Sequence, residues 1–160
     1  MANVMDYLQG RGVVFTVIPH REEPAGAGEH GDARVPGDLV ARTVVVIANY
    51  GAALMVVPAA RQLDMGLVAQ AVGDARAREA TPSEVERQFP DYQPGALPPM
   101  SMMLLVPTYV DPAVMEHDEI VFAAGRSNIS IRMGTRDLFG SDPIVVAPLT
   151  AQSAISPATA

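Results

Sequence analysis

Lysine is missing from this 160-residue chain, whose 11 Lys-plus-Arg positions are all arginine. No side-chain amine is therefore present to serve as a neutral base or to form a Schiff base. Cysteine is missing as well, which excludes disulfides, thiolate catalysis and cysteine-ligated metals. Tryptophan is absent and aromatics make up 5%, so valine, alanine, leucine and methionine must fill the core. The opening "MANVMDYLQGRG" has no basic segment followed by an apolar one, so it does not read as a signal peptide. The longest apolar stretch, Thr43 to Ala60, is broken by Asn49-Tyr50-Gly51 and reads as two strands around a turn, not a membrane span. A cytoplasmic protein is the expectation.

What is present fits one globular domain: 49% hydrophobic and 18% charged residues, with a formal net charge of -7. That balance works against unassisted nucleic-acid binding, which normally shows a basic footprint. Asn3 to Gly12 is a short helical candidate, with Val4, Tyr7 and Leu8 on one face. "VVFTVIPH" reads as a strand closed by Pro19. The polar, glycine- and proline-rich text from Arg21 to Asp38 reads as a loop. Arg42 to Ile47 and Ala52 to Val57 form a hairpin, apolar on both faces and so expected inside a sheet.

"LDMGLVAQAVG" predicts an amphipathic helix with Leu63, Leu67, Val68 and Ala71 on one side. Thr81-Pro82-Ser83-Glu84 is a helix start, since threonine can cap, proline suits the first turn and Glu84 lies three residues on. That helix must finish by Phe89. "PGALPPM" is a rigid loop, Asp111-Pro112 caps a helical turn, and "EIVFAAG" with "ISIRM" makes a second hairpin around Arg126-Ser127-Asn128. Ile129, Ile131 and Met133 alternate with polar residues, so one face should be buried. The class is α/β with a mixed sheet. Residues 1–149 form a single domain, and a flexible tail runs from 150 to 160.

The order of "VARTVVV", "ALMVVPA", "LDMGLVAQAVG", "ATPSEVERQFPDYQPGALPPM", "VPTYVDPAVMEHDEIVFAAG" and "SIRMGTRDL" resembles the YbaK and prolyl-tRNA-synthetase-associated editing-domain family, a class of aminoacyl-tRNA deacylases. The likeness runs from about Phe15 to Ile144. It implies a curved, partly closed mixed β-sheet with flanking helices and a pocket for the aminoacyl end of tRNA. It also implies hydrolysis of the ester that joins a wrong amino acid to the terminal ribose. The partners so implied are an aminoacyl-tRNA and, for delivery, an aminoacyl-tRNA synthetase. No cofactor, metal, membrane or DNA partner is expected.

Two departures stand out. Arg42 occupies the position where the family usually carries lysine; a guanidinium keeps the charge but cannot act as a base. It can still clamp a phosphate or polarise a carbonyl, so Arg42 is the residue expected to carry catalysis, by positioning. Ser127 aligns where the family often has histidine, and neither Ser127 nor Asn128 can exchange a proton near neutral pH as imidazole does. The family's loop survives as Gly95-Ala96-Leu97-Pro98-Pro99, whose amides at Gly95, Ala96 and Leu97 are offered to a developing oxyanion. Thr43 and the far wall Gly125, Arg126, Ser127 and Asn128 complete the expected substrate-binding set. Met100 and Met102 or Met103 are further candidates for the pocket lining.

Taken singly, these features have plainer readings. Arg42 alone would be a solvated strand-end arginine, and the Gly95–Pro99 loop an ordinary connection. His20 and His30, among Glu22, Glu23, Glu29 and Asp32, match no metal-ligand spacing. Glu116-His117-Asp118-Glu119 reads as a solvated turn at a strand start. No serine–histidine–acid triad and no phosphate loop can be assigned. The sequence therefore supports a free-standing deacylase for a mischarged small amino acid. The alternative is an inactive binding module of the same fold that holds tRNA, an aminoacyl group or a protein.

Overall fold

A computed structural model of the chain describes residues 4–19, 39–140 and 142–151. The loop expected at 21–38, with His20 and His30, lies outside the described residues. So does the tail from residue 152 onward. The elements in chain order are α1 (Val4–Gly10), β1 (Phe15–Pro19), β2 (Ala41–Ala48), β3 (Gly51–Pro58), α2 (Met65–Val72), β4 (Arg78–Glu79) and α3 (Pro82–Gln88). They continue with α4 (Ser101–Leu104), β5 (Thr108–Val110), α5 (Pro112–Met115), β6 (Glu119–Ala123), β7 (Ile129–Gly134), α6 (Thr135–Phe139) and β8 (Ile144–Val146).

The expected mixed α/β class holds, but the strands form two open sheets and not one partly closed one. A five-stranded mixed sheet has the order β4-β2-β3-β5-β8, and a three-stranded antiparallel sheet the order β1-β7-β6. Among the described residues, a parallel bridge from Val40 to Val121 links them. The β2–β3 hairpin turns at Asn49 and Tyr50, with Ala48 opposite Gly51. Gly51 takes a φ of 120°, which a side chain would disfavour. The valine run suits this central pair because β-branched side chains pack well on a pleated surface buried on both faces.

Strand alternation divides the hairpin between two cores. Val44, Val46, Met55 and Val57 pack with Val68, Val72 and Leu149, so α2 covers that face. Val68 and Val72 are its buried residues, and Leu63 and Ala71 of the predicted face pack against the same cluster while Leu67 does not. Ala41, Val45, Leu54 and Val56 face the larger cluster, with Tyr92, Leu97, Met100, Phe122, Ile131 and Met133. That core lies between the two sheets. In β7 the alternation is incomplete, because Ser130 is buried along with Ile131 and Met133 while Ile129 is only half-buried.

The predicted capping box of α3 is formed. Glu84 N donates to Thr81 Oγ1 at 3.2 Å, and Thr81 N to Glu84 Oε1 at 2.9 Å. Arg78 adds a bidentate pair to both Glu84 oxygens at 2.8 Å. Replacing Thr81 by alanine should cost about 0.5–2 kcal/mol in urea unfolding. The Arg78 hydrogen bonds, then the Thr81 amide, lower the Glu84 carboxyl from 4.5 to about 2. Its contribution is thus present above the ordinary value and is lost as pH falls from about 4.5 towards 2. Unfolding curves of wild type and Glu84→Gln should converge across that window. Curves that stay parallel through it would show the ion pair to be inert.

Asp111 closes the body of the fold. Fully buried, it caps α5 through Ala113 N at 2.8 Å. Its other oxygen accepts from Leu149 N at 2.9 Å, and from Thr150 N and Oγ1 at 3.1 Å each. Thr150, where the tail was expected to begin, is therefore fully buried and part of the packed body. No helix of the described residues is long and apolar enough to cross a membrane.

Candidate functional site

Two loops expected to line the site are stitched together by backbone bonds. Gly125 N donates to Ala96 O at 2.8 Å, and Gln93 N donates to Gly125 O at 2.8 Å. Inside the first loop, Ala96 N donates to Gln93 O at 2.9 Å and Met100 N to Pro98 O at 2.9 Å. The Gln93 side chain then crosses to the second loop, where its Oε1 accepts from Ser127 N at 2.6 Å. Gly95–Pro99 and Gly125–Ser127 are thus neighbouring walls of one structure.

Glycine is required at the seam. Gly125 has a φ of 97°, and a Cβ built on it would stand 3.1 Å from Cδ1 of the Tyr92 ring. The ring is packed in the core and has little room to give. Gly125→Ala should therefore lose about 1–3 kcal/mol of stability through backbone strain. Thermal melts of the variant within a degree of wild type would show that the seam tolerates a side chain. Burial, and then the nearby charge of Asp91, raise the Tyr92 phenol above its ordinary value, so at neutral pH it is an uncharged wall.

Of the three amides expected as donors, that of Ala96 is engaged by Gln93. Leu97 is 3% exposed, yet among the described residues nothing accepts from its amide. Gly95, at a φ of 90°, also keeps its amide out of any bond to a described residue. A buried donor without an acceptor is rare, since it forfeits its hydration without replacement. A second such atom is Thr43 Oγ1, buried and without a hydrogen-bond partner among the described residues. Thr43 shares its face of β2 with Ala41 and Val45, which pack in the same cluster as Leu97. Pro98 and Pro99 are buried and supply no donor.

Arg42 is held differently. It shares its face of β2 with Val44 and Val46, in the layer under α2. Its half-buried guanidinium donates from Nη2 to Arg61 O at 3.2 Å, in the turn that follows β3. Thr43 and the two loops therefore gather around the inter-sheet core, while Arg42 stands at the start of the strand with its bonded contact on the other face. Arg126 and Asn128 are exposed at the hairpin tip. Met100 is fully buried in the core, Met102 is 51% exposed and Met103 half-buried. Of the three methionines, then, Met100 packs the core beneath the loop and Met102 faces solvent.

In the Glu116–Glu119 turn, Thr135 Oγ1 donates to His117 O at 2.6 Å and Thr135 N to Asp118 O at 2.8 Å. Glu119 pairs with Arg132 at 2.9 Å. The residue that sequence reasoning missed is Gln93. The one available signal was an amide side chain two positions before the loop glycine, and its partner lies 34 residues away.

Residues 29–140 match the family model of the aminoacyl-tRNA editing domain. The chain is also similar in fold to a candidate trans-editing enzyme for prolyl-tRNA synthetase. That likeness has a TM-score of 0.78 at 24% identity, over 92% of this chain and 94% of that one. A hypothetical protein matches with a TM-score of 0.81 at 21% identity, over 92% and 98%. A scaffold protein from computational epitope grafting matches with 0.77 at 23%, over 92% and 93%.

Proposed function

This chain belongs to the aminoacyl-tRNA editing domain family, and on that premise we propose that it is a free-standing deacylase acting on a mischarged small amino acid. The observation that carries the reading is the buried amide of Leu97, without an acceptor among the described residues and set in a loop braced against Gly125. A donor of this kind is suited to a substrate oxygen that gains charge in the transition state.

The chemistry follows from the groups at hand. Water adds to the ester carbonyl carbon, and the carbonyl oxygen takes negative charge opposite the Leu97 and Gly95 amides. The bond to the ribose oxygen then breaks, and the proton from water ends on that ribose hydroxyl. An ester needs little further activation, so holding it in line supplies much of the rate. Thr43 Oγ1 donates to the substrate, Gly125 to Asn128 bound the side-chain end, and Arg42 holds the terminal phosphate through its fork. The partner is the acceptor end of a charged tRNA in the cytoplasm, and a net charge of -7 favours delivery by an aminoacyl-tRNA synthetase.

The test is release of amino acid from a panel of mischarged tRNAs by the purified chain. Turnover confined to small side chains is expected; none across the panel would remove the reading. One observation favours the alternative of a binding module without turnover: the Arg42 guanidinium is already bonded to Arg61 O. Tight tRNA binding with no release is the result that would establish it.

A further inference from the structure

We infer that Gln93 is a positioning residue that sets the separation of the two pocket walls and, through it, the size of side chain admitted. The inference rests on the deacylase reading. Gln93 is half-buried behind the loop and engages both walls with three different groups. Its amide holds Gly125 O, its carbonyl holds the Ala96 amide, and its side-chain oxygen holds the Ser127 amide at 2.6 Å. Backbone bonds at Gly125 fix the base of the second wall, but the Ser127 contact reaches its tip. Within that tip the turn bond from Ile129 N to Arg126 O is long, at 3.4 Å. A side chain that grips the tip from outside the hairpin therefore governs how far it can lean away from the loop. The Gln93 side-chain oxygen accepts from the tip's backbone, so it acts through Ser127.

The test separates grip from bulk. Gln93→Met keeps length and removes the acceptor, whereas Gln93→Glu keeps an acceptor oxygen. Deacylation of tRNAs carrying a small and a bulky amino acid is measured for each, together with binding of non-hydrolysable 3′-aminoacylamido-adenosines bearing the same side chains. Losing this part-buried hydrogen bond should lower the small-over-bulky ratio of kcat/KM about five- to tenfold in Gln93→Met. Gln93→Glu should restore it. Hydrogen exchange at the Ser127 amide should quicken in Gln93→Met, while that at Gly125 stays slow. A uniform loss with an unchanged ratio, or no change at all, overturns the inference.

If the wild type deacylates nothing, the deacylase reading fails, and the selectivity of analogue binding still decides the role of Gln93. A wild type that neither turns over nor binds the analogues overturns both.

Discussion

Arg42→Ala should lower kcat/KM for deacylation by about 10- to 100-fold, as loss of a charge-assisted hydrogen bond to the terminal phosphate, worth about 1.5–3 kcal/mol, would. Arg42→Lys should stay within roughly tenfold of wild type, because an ammonium restores the charge but not the bidentate fork. The alanine variant should fold normally. Arg42 is half-buried, and the bond it gives up, to Arg61 O, lies at a turn. The Arg61 carbonyl takes one donor of the guanidinium, at Nη2; arginine has five N–H donors, so the group can meet the substrate while that bond is kept. Turnover unchanged in the alanine variant would place the work on the loop amides alone. Activity that appears only in the lysine variant would mean that the site requires an amine, and that the chain as it stands binds without hydrolysing.

Asp111→Asn should be nearly as damaging as Asp111→Ala, although it is isosteric. The carboxylate is fully buried and accepts from Ala113 N on one oxygen, and from Leu149 N, Thr150 N and Thr150 Oγ1 on the other. An asparagine can keep one oxygen, but it sets an NH₂ group against the donors on the other side. Each buried donor left unpaired costs about 1–3 kcal/mol. We therefore expect a loss of about 3–5 kcal/mol for alanine and nearly as much for asparagine, in the range reserved for broken buried networks. Against a typical domain stability of about 5–15 kcal/mol, either variant should unfold at markedly lower urea. The damage should extend to Asp64, whose amide donates to Leu149 O at 2.8 Å. Asp64 Oδ1 in turn caps α2. Loss of less than about 1 kcal/mol in the asparagine variant would mean that Leu149 and Thr150 are held by other contacts.

How much of this was legible depended on the range of the interaction. The capping box of α3 was readable because Thr81 and Glu84 satisfy each other within one helical turn. The β2–β3 hairpin was readable because a valine run, a two-residue turn and a glycine at positive φ are neighbours in the chain. Asp111 was half-readable: its bond to Ala113 is local, but its bonds to Leu149 and Thr150 span 38 and 39 residues. Strand β8 pairs in parallel with β5, and β4 contributes two residues to an edge. Neither carries enough alternating pattern to be seen.

The candidate site divides in the same way. Sequence alone determined the inventory of chemistry: no side-chain amine, no thiol, an arginine at the head of a valine strand, and a glycine–proline loop that must hold one shape. These follow from covalent identity and short-range backbone restriction, which travel with the residues wherever they are placed. Tertiary structure decided which amides find no acceptor among the described residues, that Gln93 joins the two loops, that one sheet becomes two, and that Thr43 and Arg42 belong to opposite faces of β2. Alternation along a strand is local, but which face meets the loops is settled only when the second sheet packs on one side and α2 covers the other.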